Sequence, residues 1–335
     1  MSRLPRSATW RLAAGPANAI TDVPGVLVGH ATVLEPSRGV ATGVSVVVPE
    51  GVEERALPAA CHVINGYGKS AGLVQVDELG TLESPIVLTS VFAVPAVQDA
   101  LLRRRLASDP AVGGPQGRSV NLVVLECNDA RLNDPREFTC GGGELALALD
   151  SAAGGTVEQG TVGAGTGMST FGLSGGFGTS SRVFGAGGRE YHLGVALVSN
   201  FGVWGDLTIG GRLVQTTEPT GHGEGAGEGV PDGSVVIVVA TDAPFDRASL
   251  RRVCVRAQNG LARTGCMTAH GSGELVLAFS TQTSSVREPE PELLNQGFRA
   301  VAEAVEEAVL SGLSHAEPVT GRQGRRLPVL RDLTL

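Results

Sequence analysis

The 335-residue chain has no run approaching the ~20 consecutive apolar residues that a bilayer-spanning helix needs, so a membrane is not an expected partner. It also lacks an excess of positive charge. With 26 basic residues against 34 acidic ones, a net charge of −8, it offers no basic groove, and nucleic acid is not an expected partner either. The five cysteines, Cys61, Cys127, Cys140, Cys254 and Cys266, form no C-x-x-C pair and leave one over. That pattern argues against a zinc site or a disulfide framework and for buried thiols in a reducing compartment, the cytoplasm. Residues 1–19 carry Arg3, Arg6 and Arg11 but no continuous apolar stretch, unlike a secretory signal.

Glycine is what the chain has in plenty. Its 48 glycines are dispersed rather than periodic, which excludes a collagen repeat and implies many tight turns between short elements. A hydrophobic fraction of 42% with 18% charged residues supports an ordinary core. The length exceeds the roughly 250–300 residues at which single cores usually stop growing, leaving one large domain or two smaller ones open.

Local patterning sketches the elements. Residues 1–18 read as a tail, and 20–30 as two short strand-like pieces about a Pro24-Gly25 turn. Strands are expected at 44–48, 85–90, 120–125, 191–199 and 275–280, and a hairpin partner at 208–214 about Gly210-Gly211. Helices are expected after residue 70 up to Gly80, and over 95–107, 141–152, 244–264 and 293–310. In the fourth, Leu250, Val253, Cys254, Ala257 and Leu261 make one apolar stripe, which assigns Cys254 to the core. Residues 321–335 read as a docking tail. Strands and helices mingle without a strict βαβ rhythm, so sheets flanked by helices are expected.

Three familiar motifs fail on inspection. Gly68-Lys69-Ser70 lacks the first glycine of a phosphate-binding loop, since position 63 is Val63. Gly163 and Gly165 begin a dinucleotide fingerprint that breaks at Met168. Gly172-Leu-Ser174-Gly-Gly176 matches G-x-S-x-G, but its glycine- and serine-rich flanks offer neither the preceding strand nor the following helix that a nucleophile elbow needs. Close backbone packing explains these glycines better.

The most telling stretch is 229–242. A turn signal at Pro231, Asp232 and Gly233 runs directly into the β-branched run Val235–Val239, with Ser234 at the junction. Upstream, glycine occupies every second position from 221 to 229, the composition of a flexible linker. Downstream, His270-Gly-Ser272-Gly-Glu274 brings polar groups that could serve a nucleophile. A plain turn-to-strand junction is one reading. The other is that the chain cuts itself between Gly233 and Ser234, making the new terminus an active site.

Eight landmarks occur in one order: Thr21-Asp-Val-x-Gly-Val-x-Val-Gly-His30, Asn65-Gly-x-Gly-Lys69, Val162-Gly-Ala-Gly-Thr-Gly-Met168, Gly176-Phe-Gly-Thr-Ser-Ser-Arg182, Gly233-Ser234, Ala240-Thr-Asp-Ala-Pro244, Gly260-Leu-Ala-Arg-Thr-Gly265 and His270-Gly-Ser-Gly-Glu274. Over roughly residues 18–325 the chain resembles the DmpA family of N-terminal-nucleophile hydrolases, which includes L-aminopeptidase/D-esterases and β-peptidyl aminopeptidases. The resemblance implies an α+β fold, a four-layer αββα sandwich, cut into an α chain 1–233 and a β chain 234–335 that stay together, with four αβ units in the oligomer. It implies release of N-terminal residues from peptides, amides or esters, with no metal or organic cofactor.

Carried over by position, Ser234 is the nucleophile, Ser272 and Glu274 hold and polarise its amine, Asn200 donates to the oxyanion, and Glu126 receives the substrate's ammonium group. The chain departs from the family at Asn128, where an aromatic residue often helps the oxyanion hole and where the Asn128 side-chain amide could donate instead. It departs again at Ser174, where Lys is frequent.

A serine hydroxyl needs a base in hydrogen-bond reach. His270 is one candidate, but a Ser-His pair also wants an orienting carboxylate. A freed α-amine, with an ordinary pKa of about 7.7–8.0, can take the proton itself. Two rival readings stay open on sequence alone: an acyltransferase or endo-amidase of related architecture, whose nucleophile is Thr, and a non-cleaving binding homologue.

Overall fold

The computed structural model describes residues 10–214, 233–283 and 289–333. The glycine-alternating tract up to residue 232 and the first nine residues of the expected tail lie outside them. In chain order the elements are β1 (Val26–Glu35), β2 (Val40–Pro49), β3 (Leu57–Gly66), α1 (Leu73–Leu79), β4 (Thr81–Leu82), β5 (Ile86–Ser90), α2 (Val94–Ser108), β6 (Val123–Cys127) and α3 (Gly142–Asp150). There follow β7 (Ser169–Thr170), β8 (Leu173–Ser174), β9 (Phe177–Ala186), β10 (Arg189–Asn200), β11 (Thr208–Ile209), β12 (Arg212–Leu213), β13 (Ser234–Thr241), α4 (Arg247–Arg263), β14 (Gly273–Ser280) and α5 (Pro291–Ser314).

Two main sheets form, ordered β1-β2-β5-β6 and β4-β3-β14-β13-β10-β9. Each contains one parallel pair, β5 with β6 and β13 with β14. Parallel neighbours need a long crossover, and α2 and α4 supply them. The β-branched run in β13 is continuous because the strand is buried on both faces. Val235, Ile237 and Val239 pack towards Leu250, Val253 and Ala257 of α4 and Val301 and Val305 of α5. Val236 and Val238 share the inter-sheet core with Val47, Leu88 and Leu125 of the other sheet. On that sheet's outer face Val44, Val46 and Val124 meet Val97 and Leu101 of α2 and Leu145 and Ala148 of α3. The layers therefore run helix, sheet, sheet, helix, the expected αββα sandwich.

The stripe expected on α4 is buried as read, Cys254 included, and all five cysteines are free and buried. No helix among the described residues is long and apolar enough to cross a membrane. One local reading needs correction, and two strands carry no strand signal in the sequence. Residues 20–22 form a 3-10 turn, not a strand, because Asp22 folds back to accept from the N–H groups of Ala17 and Ala19. β3 carries no clean alternation of apolar residues and escapes a periodicity test. β9 is built from glycine and hydroxyl residues that look like loop, yet it lies against α5 throughout.

That last contact explains the Gly176–Arg182 landmark. A Cβ on Gly178 would lie 1.9 Å from the Ala308 carbonyl oxygen, so only glycine lets strand and helix approach this closely. Ser180 donates to the Ala304 carbonyl at 2.6 Å, and the fully buried Arg182 pairs with Glu307 at 2.5 Å. The N-terminal segment joins the same face: Trp10 Nε1 donates to Glu306 at 2.9 Å and the main-chain N–H groups of Arg11 and Leu12 both reach Glu303 at 3.1 Å. At the other end Leu327 and Leu330 are buried, and the tail docks as expected.

Candidate active site

Three strand ends of the six-stranded sheet meet at one point. Asn200, the last residue of β10, pairs across the ladder with Ser234, the first of β13, and Ser234 pairs with Gly273, the first of β14. The other sheet contributes the end of β6, Glu126-Cys127, and the next residue, Asn128. The main-chain N–H of Asn128 donates to Ser234 Oγ at 3.0 Å. Its side chain does something else: Asn128 Oδ1 accepts from the Ala130 N–H at 3.1 Å. The contact made to Ser234 is thus from the backbone, while the side chain is fixed through Oδ1 by its own loop, its amide nitrogen on the opposite arm.

Ser272 and Glu274 are brought together as expected. Ser272 Oγ donates to Glu274 Oε1 at 2.8 Å, and Thr268 Oγ1 donates to Oε2 at 2.9 Å. The Cys266 thiol also faces Oε1, at 3.8 Å. Burial pushes that thiol up to about 12, the neighbouring carboxylate adding to the effect, so it stays protonated. Burial likewise raises the Glu274 carboxyl, while the hydroxyls of Ser272 and Thr268 and then the thiol pull it back down. Gly233 leans on this group. A Cβ there would sit 3.1 Å from Ser272 Oγ and 3.2 Å from the Asn200 carbonyl oxygen, and the Gly233 carbonyl accepts from the Gly273 N–H at 2.9 Å.

Asn200 has a defined orientation. Its Oδ1 accepts from the Ser169 N–H at 2.9 Å, which assigns the amide nitrogen to the opposite arm. Glu126 is only 2% exposed, and the failed phosphate loop is what holds it. The Lys69 N–H donates to Glu126 Oε1 at 2.6 Å, and the Glu126 N–H donates to Ser70 Oγ at 3.1 Å. Glu126 Oε2 is buried without a hydrogen-bond partner among the described residues. Burial raises this carboxyl, opposed by the Lys69 N–H and then by the Lys69 charge.

A model of peptidase family S58 matches residues 18–327. The chain belongs to this family. The β-peptidyl aminopeptidase BapA of Sphingosinicella microcystinivorans is 36% identical over 350 positions, spanning 94% of this chain and 86% of that protein. The solved L-aminopeptidase D-Ala-esterase/amidase of Ochrobactrum anthropi, described as a prototype of the serine aminopeptidases and a variant of the N-terminal-nucleophile hydrolase fold, superposes with a TM-score of 0.84 at 32% identity, covering 96% of this chain and 93% of that one. A β-aminopeptidase from Burkholderia sp. gives a TM-score of 0.84 at 33% identity, over 96% and 94% of the two chains. This S58 member is accordingly a hydrolase of the serine aminopeptidase type on an N-terminal-nucleophile fold.

Other sequence candidates fall outside this cluster. Ser174 is fully buried on β8, where its hydroxyl and N–H hold the carbonyls of Leu327 and Pro328, and no helix follows it. His270 is exposed, its ring edge-on to Tyr67 at 5.9 Å. Two further contributors carry no sequence signal of their role. Asn65, in the Asn65–Lys69 landmark, points Nδ2 at the carbonyls of Ala269, His270 and Ser272, at 3.2, 2.9 and 2.5 Å. Thr268 sits in a loop with no patterned signal at all.

Proposed function

We propose that this S58 chain is a self-processing aminopeptidase/amidase in which Ser234 cleaves the Gly233–Ser234 bond and then serves, as a new N-terminus, in turnover. The reading rests on one arrangement: Ser234 Oγ is held by the Asn128 N–H while the Ser272–Glu274 pair stands beside Gly233.

In processing, Ser234 Oγ attacks the Gly233 carbonyl carbon, and its proton passes to the Ser234 nitrogen as the C–N bond breaks. The ester that results is hydrolysed by water, releasing the α chain 1–233 from the β chain 234–335. The Gly233 carbonyl oxygen already accepts from the Gly273 N–H at 2.9 Å, and Asn200 offers its amide to the developing charge. Glycine at 233 leaves the attack unobstructed.

In turnover the freed amine takes the proton of Ser234 Oγ as the oxygen adds to the substrate carbonyl, and delivers it to the leaving amine or alcohol. Water then hydrolyses the acyl-enzyme. Ser272 accepts from the amine, and Glu274 fixes Ser272 by taking its proton in a hydrogen bond. A nearby carboxylate raises the amine's pKa and burial lowers it, so the two act in opposition on the base. Glu126 Oε2, without a hydrogen-bond partner among the described residues, receives the substrate's ammonium group, which makes the enzyme specific for free N-termini. The substrate class is small peptides, amides or esters, in keeping with the β-peptidyl aminopeptidase and L-aminopeptidase D-Ala-esterase/amidase relatives. A cytoplasmic tetramer of αβ units completes the proposal, the five buried thiols being suited to a reducing compartment.

Intact mass of the denatured protein tests the central step. Two fragments ending at 233 and starting at 234 are expected, with Ser234→Ala uncut and inactive. Hydrolysis by a homogeneous uncut chain refutes it.

A further inference from the structure

The loop between α4 and β14 carries an unusual residue. Thr268 has φ +51°, a left-handed conformation that a β-branched side chain adopts only at a cost. Such strain persists where the surroundings impose it, and it concentrates at working sites. Here two features impose it. Asn65, across the ladder from Glu274, clamps the carbonyls of Ala269, His270 and Ser272 with its amide. The Thr268 hydroxyl in turn ends 2.9 Å from Glu274 Oε2.

We infer that Thr268 is a positioning residue of the S58 site: it occupies Glu274 Oε2 so that Oε1 remains for Ser272, and thereby sets the direction from which Ser272 meets the nitrogen of residue 234. A carboxylate held by only one of its oxygens can swing about its last side-chain bond. Held at both, it keeps Ser272 Oγ in the plane from which its lone pairs face Gly233 and Ser234, whose neighbourhood a Cβ on Gly233 reports at 3.1 Å. The groups facing Glu274 are Ser272 and Cys266, besides Thr268 itself, with Asn65 opposite on β3 and, after processing, the amine of Ser234 on β13. The Thr268 hydroxyl also favours the ionised form of Glu274 against burial.

This inference rests on the proposed function and is tested apart from it. Wild type, Thr268→Val, Thr268→Ala and Thr268→Ser are compared for the rate at which the 234–335 fragment appears, and for kcat and KM on an amino-acyl p-nitroanilide as a function of pH. The Val and Ala variants lack the hydroxyl and should lose roughly tenfold to a hundredfold in kcat and in processing, the usual worth of a hydrogen bond to a charged group, with KM little changed. The acid limb that reports Glu274 should move to higher pH, because this carboxyl loses a donor that stabilises its charge. Thr268→Ser should restore both within about threefold, a hydroxyl being all that is required. An uncut but active wild type would overturn the proposed function whatever Thr268 does. A processed, active wild type alongside folded Val and Ala variants with unchanged kcat and acid limb would overturn this inference alone. Failure of both hydroxyl-free variants to fold, with the Ser variant fully active, would also overturn it and assign Thr268 to stability.

Discussion

The main-chain N–H of Asn128 lies 3.0 Å from Ser234 Oγ, and the two residues stand at the ends of strands from different sheets of the sandwich. The candidate nucleophile starts a strand of one sheet and is held by the residue that follows a strand of the other. The site is therefore a property of how the layers stack.

That donor is backbone, so side-chain changes at Asn128 should be mild. Asn128→Ala is expected to keep activity within a few-fold. Asn128→Pro removes the N–H itself and should cost roughly tenfold in kcat, the worth of one hydrogen bond to the hydroxyl oxygen. Steady-state rates on one anilide substrate check both. Equal losses in the two variants would return the role to the side chain.

Glu126 should separate binding from chemistry. Its buried Oε2 has no partner among the described residues, so Glu126→Gln removes charge at constant shape. KM for substrates with a free ammonium group should rise roughly tenfold to a hundredfold, while the 234–335 fragment appears at the wild-type rate. Because burial raises this carboxyl, substrate affinity should also fall as pH drops towards the raised value. Parallel processing and kinetic assays read the difference; slowed processing would place Glu126 in the cleavage step instead.

His30 should govern part of the acid stability. Its Nδ1 hydrogen-bonds Ser45 Oγ at 2.8 Å, and Ser45 Oγ accepts from the Ala164 N–H at 3.0 Å. Burial brings the imidazole down to about 4 from 6.5, a carbonyl contact at Glu158 opposing it. The folded state thus keeps His30 neutral where the unfolded chain protonates it. Stability is fully present above about 6.5 and is lost as pH falls from there to about 4, by up to roughly 3 kcal/mol. Denaturant unfolding of wild type and His30→Gln across that interval should show a flatter pH dependence in the variant. Identical slopes would clear His30 of the effect.

Much of the fold was legible because its causes are local. The α4 stripe repeats with the helical turn, and the β13 run of β-branched residues with a turn before it announces a buried strand beginning at Ser234. The placing of Ser272 beside Glu274 was likewise within reach, two residues apart on the same strand entry. β9 escaped because its burial is satisfied by hydroxyl and guanidinium bonds to α5, and polar residues read as loop until their partners are known.

By itself the sequence determined which stretches bury which faces, and where a serine stands at the head of a strand. Only the tertiary structure decided that the Asn128 backbone reaches that serine, that Asn65 clamps the loop bearing Ser272, and that Thr268 completes the shell of Glu274. Those contacts join residues distant in the chain or held in a strained loop. Hydrophobic periodicity records what a residue hides from water, and a hydrogen bond depends instead on where two separately folded segments are finally placed.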